Sequence, residues 1–373
     1  MGISSVLKKE GINIIGELNT LDVNKIASLI SEKICVAFPE YNLNQSDLFV
    51  AIARLNMYVA EMPNDTIGAK YYYKTSSIYF NKNMDINKLN TLSLHECIHY
   101  IQEHVDKRGR LRRLGLYQLG KPGEAINEAS VQLMASVANG CKEEEVKYYN
   151  MNISTRSPDF YPLETALLKE LIYFTGPYPL FHSTLYSNNV FKNTFISKSS
   201  KETYNKIVNN FDLLMQYQEK LNEETYKLYG FDNDSLAKVK RINDNIASLK
   251  EIIVEKTFDI QNTIIEECFN KAFDNIKTTA DISNFQADLY NFHSVIITAD
   301  NYSFYVDYYK KMIKKLKEKK KFIEQYGPIP VIANNASTDL YFVEENTYGF
   351  SFFKTFFSKL NLVFEDRFRS REY

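Results

Sequence analysis

Apolar residues recur at helical spacing along most of the chain. Val23, Ile26, Ile30 and Ile34 fall on one stripe, so the segment up to about Pro39 reads as one or two short helices. A second helix is expected over Gln45–Glu61, with Asn44 as its cap and Pro63 just beyond its end. The run AKYYYKTSSIYFNKN breaks the rhythm. Its two aromatic and β-branched halves flank Thr75-Ser76-Ser77, the pattern of a β-hairpin. A polar, turn-rich stretch leads to Asn87. A helix is then expected from about Asn87 to Lys107, on Leu89, Leu92, Ile98, Ile101 and Val105, with Gly109 ending it.

The stretch KRGRLRRLGLYQLGKPG reads as a basic, glycine-containing connection. GEAINEASVQLMASVANG has the apolar character of a buried helix and stops at Gly140. YPLETALLKELIYFTG is a further helix, with Pro162 near its start and Gly176 past its end. From about Ser199 long amphipathic helices take over, one to Gly230 and one from Ser235 to about Ile276. In the second, Val239, Ile242, Ile246, Leu249, Ile253 and Ile260 follow a 3-4 repeat suited to bundle packing. A third ends in KKMIKKLKEKKKF and stops at Gly327-Pro328. The expected organisation is therefore a mixed domain over 1–198, a helical domain over 199–327 and an aromatic-rich tail over 328–373. The expected class is α+β, mostly helical, with a small sheet or hairpin before the helix that begins near Asn87.

Composition alters this little. Over 373 residues, 45% are hydrophobic and 24% charged, so the chain is globular with ample core. A net charge of -1 gives no basic excess, which argues against nucleic acid or an anionic membrane as partner. No stretch approaches the roughly 18 apolar residues of a membrane span, and the N-terminal MGISSVLKKEGINIIGEL lacks an export signal's charged and apolar regions. Cys35, Cys97, Cys141 and Cys268 stand apart without a CxxC pair, as in a reducing compartment. The expectation is a cytoplasmic protein. The 27 Tyr and 25 Phe without Trp, beside frequent Asn, Lys and Ile, hint at AT-rich coding and a bacterial source.

The chemistry lies in SLHECIHYIQ, Ser93 to Gln102. His95 and His99 are one turn apart on a helix, with Cβ atoms about 5–6 Å apart. Two nitrogens bound to one zinc sit roughly 3.3 Å apart, which imidazoles at that spacing can reach. Glu96 points about 100° round the helix, beside a metal rather than onto it, where a carboxylate can accept a proton from water. A catalytic zinc wants three protein ligands. GEAINEASVQ offers Glu124 and Glu128, and the apolar residues around Glu128 argue that it is buried and needs a partner.

HECIH followed by GEAINEA resembles the gluzincin, or thermolysin-like, branch of the zincin metallopeptidases. The resemblance covers about 45 residues on two helices. It implies a zincin-like domain that binds zinc through His95, His99 and Glu128, with Glu96 as general base in the hydrolysis of a peptide or protein. The family commonly has an Asp four residues after the ligand Glu, to orient a histidine; here Gln132 stands in that place and orients without charge. The spacing from His99 to Glu128 is longer than in thermolysin. No sequence matches the family's oxyanion-stabilising residue, and Tyr117, His182 and Tyr186 are candidates by type alone. The hairpin before the metal helix would supply the edge strand that binds extended substrate.

Two rival readings stand beside this one. In the first, zinc is structural or regulatory and the helical region binds a protein partner. In the second there is no metal, and the chain is a helical interaction protein. Of the other features, His104 reads as a surface histidine, Cys97 as a small core residue and His293 as a core histidine. The basic run from Lys107 to Arg113 and the lysines between 310 and 321 read as solvated faces.

Overall fold

The computed structural model describes residues 7–63, 67–85, 89–228 and 236–329. The chain divides into two units. One comprises Met1–Glu143, Arg156–Thr165 and Leu180–Val190; the other comprises Glu144–Thr155, Ala166–Pro179 and Phe191–Tyr373. Both combine helices with small sheets, so the class is α+β with helix predominating.

The first unit runs β1 (Asn13–Glu17), α1 (Thr20–Ala37), α2 (Gln45–Ala53), β2 (Asn56–Glu61), β3 (Ala69–Tyr72), β4 (Ser77–Asn81), α3 (Leu89–Ile101), β5 (Glu103–Val105), β6 (Leu111–Leu114), β7 (Tyr117–Gln118) and α4 (Glu124–Ala138). Asn19 caps α1 by accepting the Asp22 N–H at 3.0 Å, and Val23, Ile30 and Ile34 of the predicted stripe are buried. Asn44 caps α2 as expected, accepting from Ser46 and Asp47 at 2.9 and 3.2 Å.

The helix expected over Gln45–Glu61 stops at Ala53. Asn56–Glu61 is a strand instead, antiparallel to β1 on one side and parallel to β4 on the other. NIIGE, read within a helical segment, is its partner β1. Tyr58 and Val59 favour strands. What makes them one is hydrogen bonding to segments on both sides in the sequence, which a local repeat does not register. The predicted hairpin is present, with Ala69↔Phe80 through Tyr72↔Ser77 paired. In the sheet order β1-β2-β4-β3, β3 is the edge strand.

The helix expected from Asn87 to Lys107 ends at Ile101. The chain turns at once into the antiparallel meander β5-β6-β7, so the basic connection is partly strand. Asp106 gives the reason. Its carboxylate accepts the main-chain N–H of Arg108 and Arg110 at 2.8 and 3.0 Å and pairs with the guanidinium groups of Arg110 and Arg112. An aspartate that gathers such donors favours a turn over a helix. Gly109, expected to end the helix, lies in this turn and donates to the Asp106 carbonyl at 2.8 Å.

The remaining elements are β8 (Glu144–Tyr148), β9 (Met151–Thr155), α5 (Pro162–Thr175), α6 (Pro177–Tyr186), α7 (Val190–Lys198), α8 (Lys201–Leu228), α9 (Leu236–Asp274), α10 (Thr279–Asn291), β10 (Thr298–Ala299) and α11 (Phe304–Tyr326). The helices α5, α8, α9 and α11 lie where the pattern placed them. The sequence reading missed α10, although Thr278 and Asp281 form a capping box at its start. The second unit's core gathers Phe269, Phe285, Leu289, Phe292, Tyr305 and Met312, with Phe292 edge-on to Phe269 at 5.3 Å. Most of the expected tail, residues 330–373, lies outside the described residues. No helix among the described residues is long and apolar enough to cross a membrane.

Candidate metal centre

The site lies wholly in the first unit. It is built on two short helices that are buried nearly all round. Every residue of α3 from Leu92 to His99 is buried. In α4 all of Ala125–Ala138 is buried except Glu128. Helices of this kind must pack on all sides, and these two pack on each other. His95 and His99, one turn apart, thereby face Glu128.

The three side chains form a tight triangle. His95 Nε2 and His99 Nε2 are 3.0 Å apart. Glu128 places Oε2 3.2 Å from His95 Nε2 and Oε1 3.3 Å from His99 Nε2. Donors of a tetrahedral site with metal bonds near 2.0–2.1 Å stand roughly 3.3 Å apart, so this group can hold a metal ion.

The backing groups decide which nitrogen faces inward. His95 Nδ1 lies 2.9 Å from Gln132 Oε1, and Gln132 Nε2 donates to Ser136 Oγ at 3.2 Å. His99 Nδ1 lies 3.2 Å from Gln102 Oε1. An amide oxygen only accepts, so both Nδ1 atoms carry the proton and both Nε2 atoms present lone pairs. Two lone pairs and a carboxylate at this range repel unless a cation stands among them. A proton can play that part. Burial pulls the His99 pKa down, but the Glu128 carboxylate more than offsets it and holds the group up at about 9. Burial likewise raises the Glu128 carboxyl, yet His99 and His95 hold it well below the usual carboxylate range. Two imidazole nitrogens and a carboxylate are donors that suit a divalent transition-metal ion.

Glu96 stands off the triangle, as its place in the helix requires. It is buried, and its Oε2 accepts the main-chain N–H of Tyr71 at 2.5 Å. Tyr71 belongs to the edge strand β3, so the hairpin abuts the metal helix.

One residue the sequence reading did not single out joins the site. Tyr161 precedes α5 with φ at 50°, a backbone conformation that is costly for an aromatic residue and is characteristic of functional positions. Its ring stacks on His95, with centroids 6.2 Å apart and planes 13° apart. Burial raises the pKa of its hydroxyl, and the Glu128 and Glu96 charges add to this, so it stays protonated. No local spacing in the sequence ties Tyr161 to HECIH; only the return of the chain does.

The type-only candidates lie elsewhere. Tyr117 is carried by β7, paired with Leu114. His182 packs between Tyr41 and Tyr186 and pairs with Asn188. The Tyr186 hydroxyl donates to the Tyr41 carbonyl. Glu124 opens α4 and is exposed. Cys97 is fully buried, and burial pushes its thiol up, as befits an inert core residue. His104 is exposed in β5. His293 is exposed too, so the core position expected for it is not found.

No protein-family model, curated protein or solved structure matches the chain.

Proposed function

We propose that the chain is a zinc-dependent peptidase of the gluzincin type, acting on a peptide or protein. The observation behind this reading is the convergence of His95, His99 and Glu128 as three electron-pair donors with Glu96 beside them. Zinc, when bound, would supply Lewis acidity to a peptide carbonyl and to water. His95 Nε2, His99 Nε2 and the Glu128 carboxylate would hold it. Among the described residues this cluster numbers three His, Cys, Asp or Glu ligands, the number in catalytic zinc sites rather than closed structural ones. That count favours hydrolysis over the structural-zinc alternative.

The chain's own groups complete the chemistry. Glu96 has one oxygen engaged by the Tyr71 amide, which orients the carboxylate, and the other is free to take a proton and return it to a leaving amine. The Tyr161 hydroxyl, protonated and beside the ligands, is the donor placed to stabilise a developing oxyanion, the role that Tyr117 and His182 do not reach. Because Tyr71 N–H bonds Glu96, it points away from the β3–β4 ladder. An extended peptide added along that edge would lie beside the proton-accepting carboxylate.

The test compares the wild type with Glu96→Gln. Zinc content is measured by elemental analysis and cleavage of a mixed peptide library by mass spectrometry. The wild type is expected to cleave, and the variant to keep zinc while losing about 10²–10⁴-fold in rate. A variant that cleaves as fast as the wild type contradicts the reading.

A further inference from the structure

Gln102 follows the end of α3, three residues past His99. Side chains just beyond a helix are usually solvated, yet Gln102 is only 1% exposed. Its Oε1 receives the His99 Nδ1 proton at 3.2 Å. The same oxygen faces Asn127 Nδ2 at 3.4 Å, and Gln102 Nε2 donates to Asn127 Oδ1 at 3.3 Å. The two amides pair head to tail.

The main chain fixes which end of each amide is which. Leu116 N–H donates to Asn127 Oδ1 at 2.9 Å, and only an oxygen can accept there. With Oδ1 so placed, Nδ2 faces Gln102 Oε1, and that oxygen can only accept from His99. The order Leu116, Asn127, Gln102, His99 therefore leaves His99 Nε2 bare. Asn127 adjoins Glu128, so one turn of α4 supplies both the carboxylate donor and the anchor of this chain of bonds.

Space for the amide pair is kept by Gly115. Its φ is +52°, and a Cβ there would lie 2.2 Å from Gln102 Nε2 and 2.4 Å from Asn127 Oδ1. Gly115 N–H donates to Ser187 Oγ at 2.7 Å, and Ser187 Oγ donates to the Gln102 carbonyl. The loop and the helix end that bound the pair are thus tied to one hydroxyl.

Resting on the metal reading above, we infer that Gln102 and Asn127 are positioning residues acting in series, which hold the His99 tautomer that presents Nε2 to the metal. Being neutral, the relay orients the imidazole without adding negative charge behind it.

The test is Zn2+ affinity, measured by competition with a chromophoric chelator on the full chain. Wild type, Gln102→Ala, Gln102→Glu, Asn127→Ala and the double alanine variant are compared, and thermal unfolding of each metal-free form shows that it folds. Gln102→Ala is expected to weaken zinc binding about 10–100-fold. Gln102→Glu, which still accepts the proton, stays within about threefold of wild type or binds more tightly. The double variant is no weaker than Gln102→Ala alone, as for groups that act through one another. Unchanged affinity in Gln102→Ala overturns the relay and leaves the metal reading standing, as does a double loss equal to the product of the single losses. Should Gln102→Ala not fold, a loss in Gln102→Glu as large as in His99→Ala overturns the relay. A folded wild type that takes up no zinc overturns the metal reading and the relay together.

Discussion

The main-chain N–H of Tyr71 donates to Glu96 Oε2 at 2.5 Å, joining the edge strand to the helix that bears the histidines. The same residue's hydroxyl donates to Glu103 Oε1 at 2.7 Å, in the strand that follows that helix. Tyr71 therefore ties the middle of the metal helix to the strand that follows it. Tyr71→Phe removes the second bond and leaves a half-buried carboxylate without its donor. Stability should fall by roughly 1 kcal/mol in urea unfolding, with zinc content unchanged. Loss of zinc in this variant would mean that this tie positions the ligands as well as Glu96.

Tyr161→Phe tests the hydroxyl beside the triangle. The ring stack on His95 is retained and only the hydroxyl is lost. The variant should keep zinc and lose about 10²–10³-fold in kcat, with a much smaller change in KM. Equal activity in the two proteins would remove Tyr161 from the proposed chemistry.

Gly115→Ala addresses the amide pair from the loop side. The added Cβ meets Gln102 and Asn127 head-on in a backbone conformation that favours glycine. Destabilisation of about 2 kcal/mol or more is expected, together with weaker zinc binding, by thermal unfolding and chelator competition. An alanine variant as stable as wild type would show that the pair can shift at little cost.

Glu170 makes a pH prediction in the second unit. Its side chain is fully buried in α5. Burial holds its carboxyl well above the usual range, against smaller opposing pulls from the Ile297 main chain and Lys169. The folded state then binds the proton more tightly than the unfolded state. Its stabilising share is complete below the unfolded pKa, near 4.5, and is lost as pH rises toward the folded value. Glu170→Gln should therefore gain on the wild type by up to about 1.4 kcal/mol per pH unit above that point. Parallel stability curves for the two proteins between pH 5 and 8 would contradict this.

What was legible in the sequence was local. The hairpin over 69–81, the helix cap at Asn44 and the long helices all rest on contacts within a few residues, and HECIH does too. Glu128 was readable because its neighbours are apolar, and Gln132 because it lies one turn further on. The strand β2 was not, since its ladder comes from Asn13–Glu17 and Ser77–Asn81. The three-residue β5 and two-residue β7 are too short to show alternation. Tyr161 was missed for a related reason, since it reaches the site only through the return of the chain; Gln102 lies three residues past His99, but the partner that fixes its amide, Asn127, comes from the next helix. The cap at Thr278, by contrast, was present in the sequence and went unread.

The central claim is that His95, His99 and Glu128 hold one metal ion. Elemental analysis of the purified chain, wild type beside Glu128→Ala and Glu124→Ala, tests it most directly. One zinc per chain is expected in the wild type and in Glu124→Ala, since Glu124 is exposed outside the triangle, and loss of zinc in Glu128→Ala. A wild type without zinc, or a Glu128→Ala variant that keeps it, would contradict the claim.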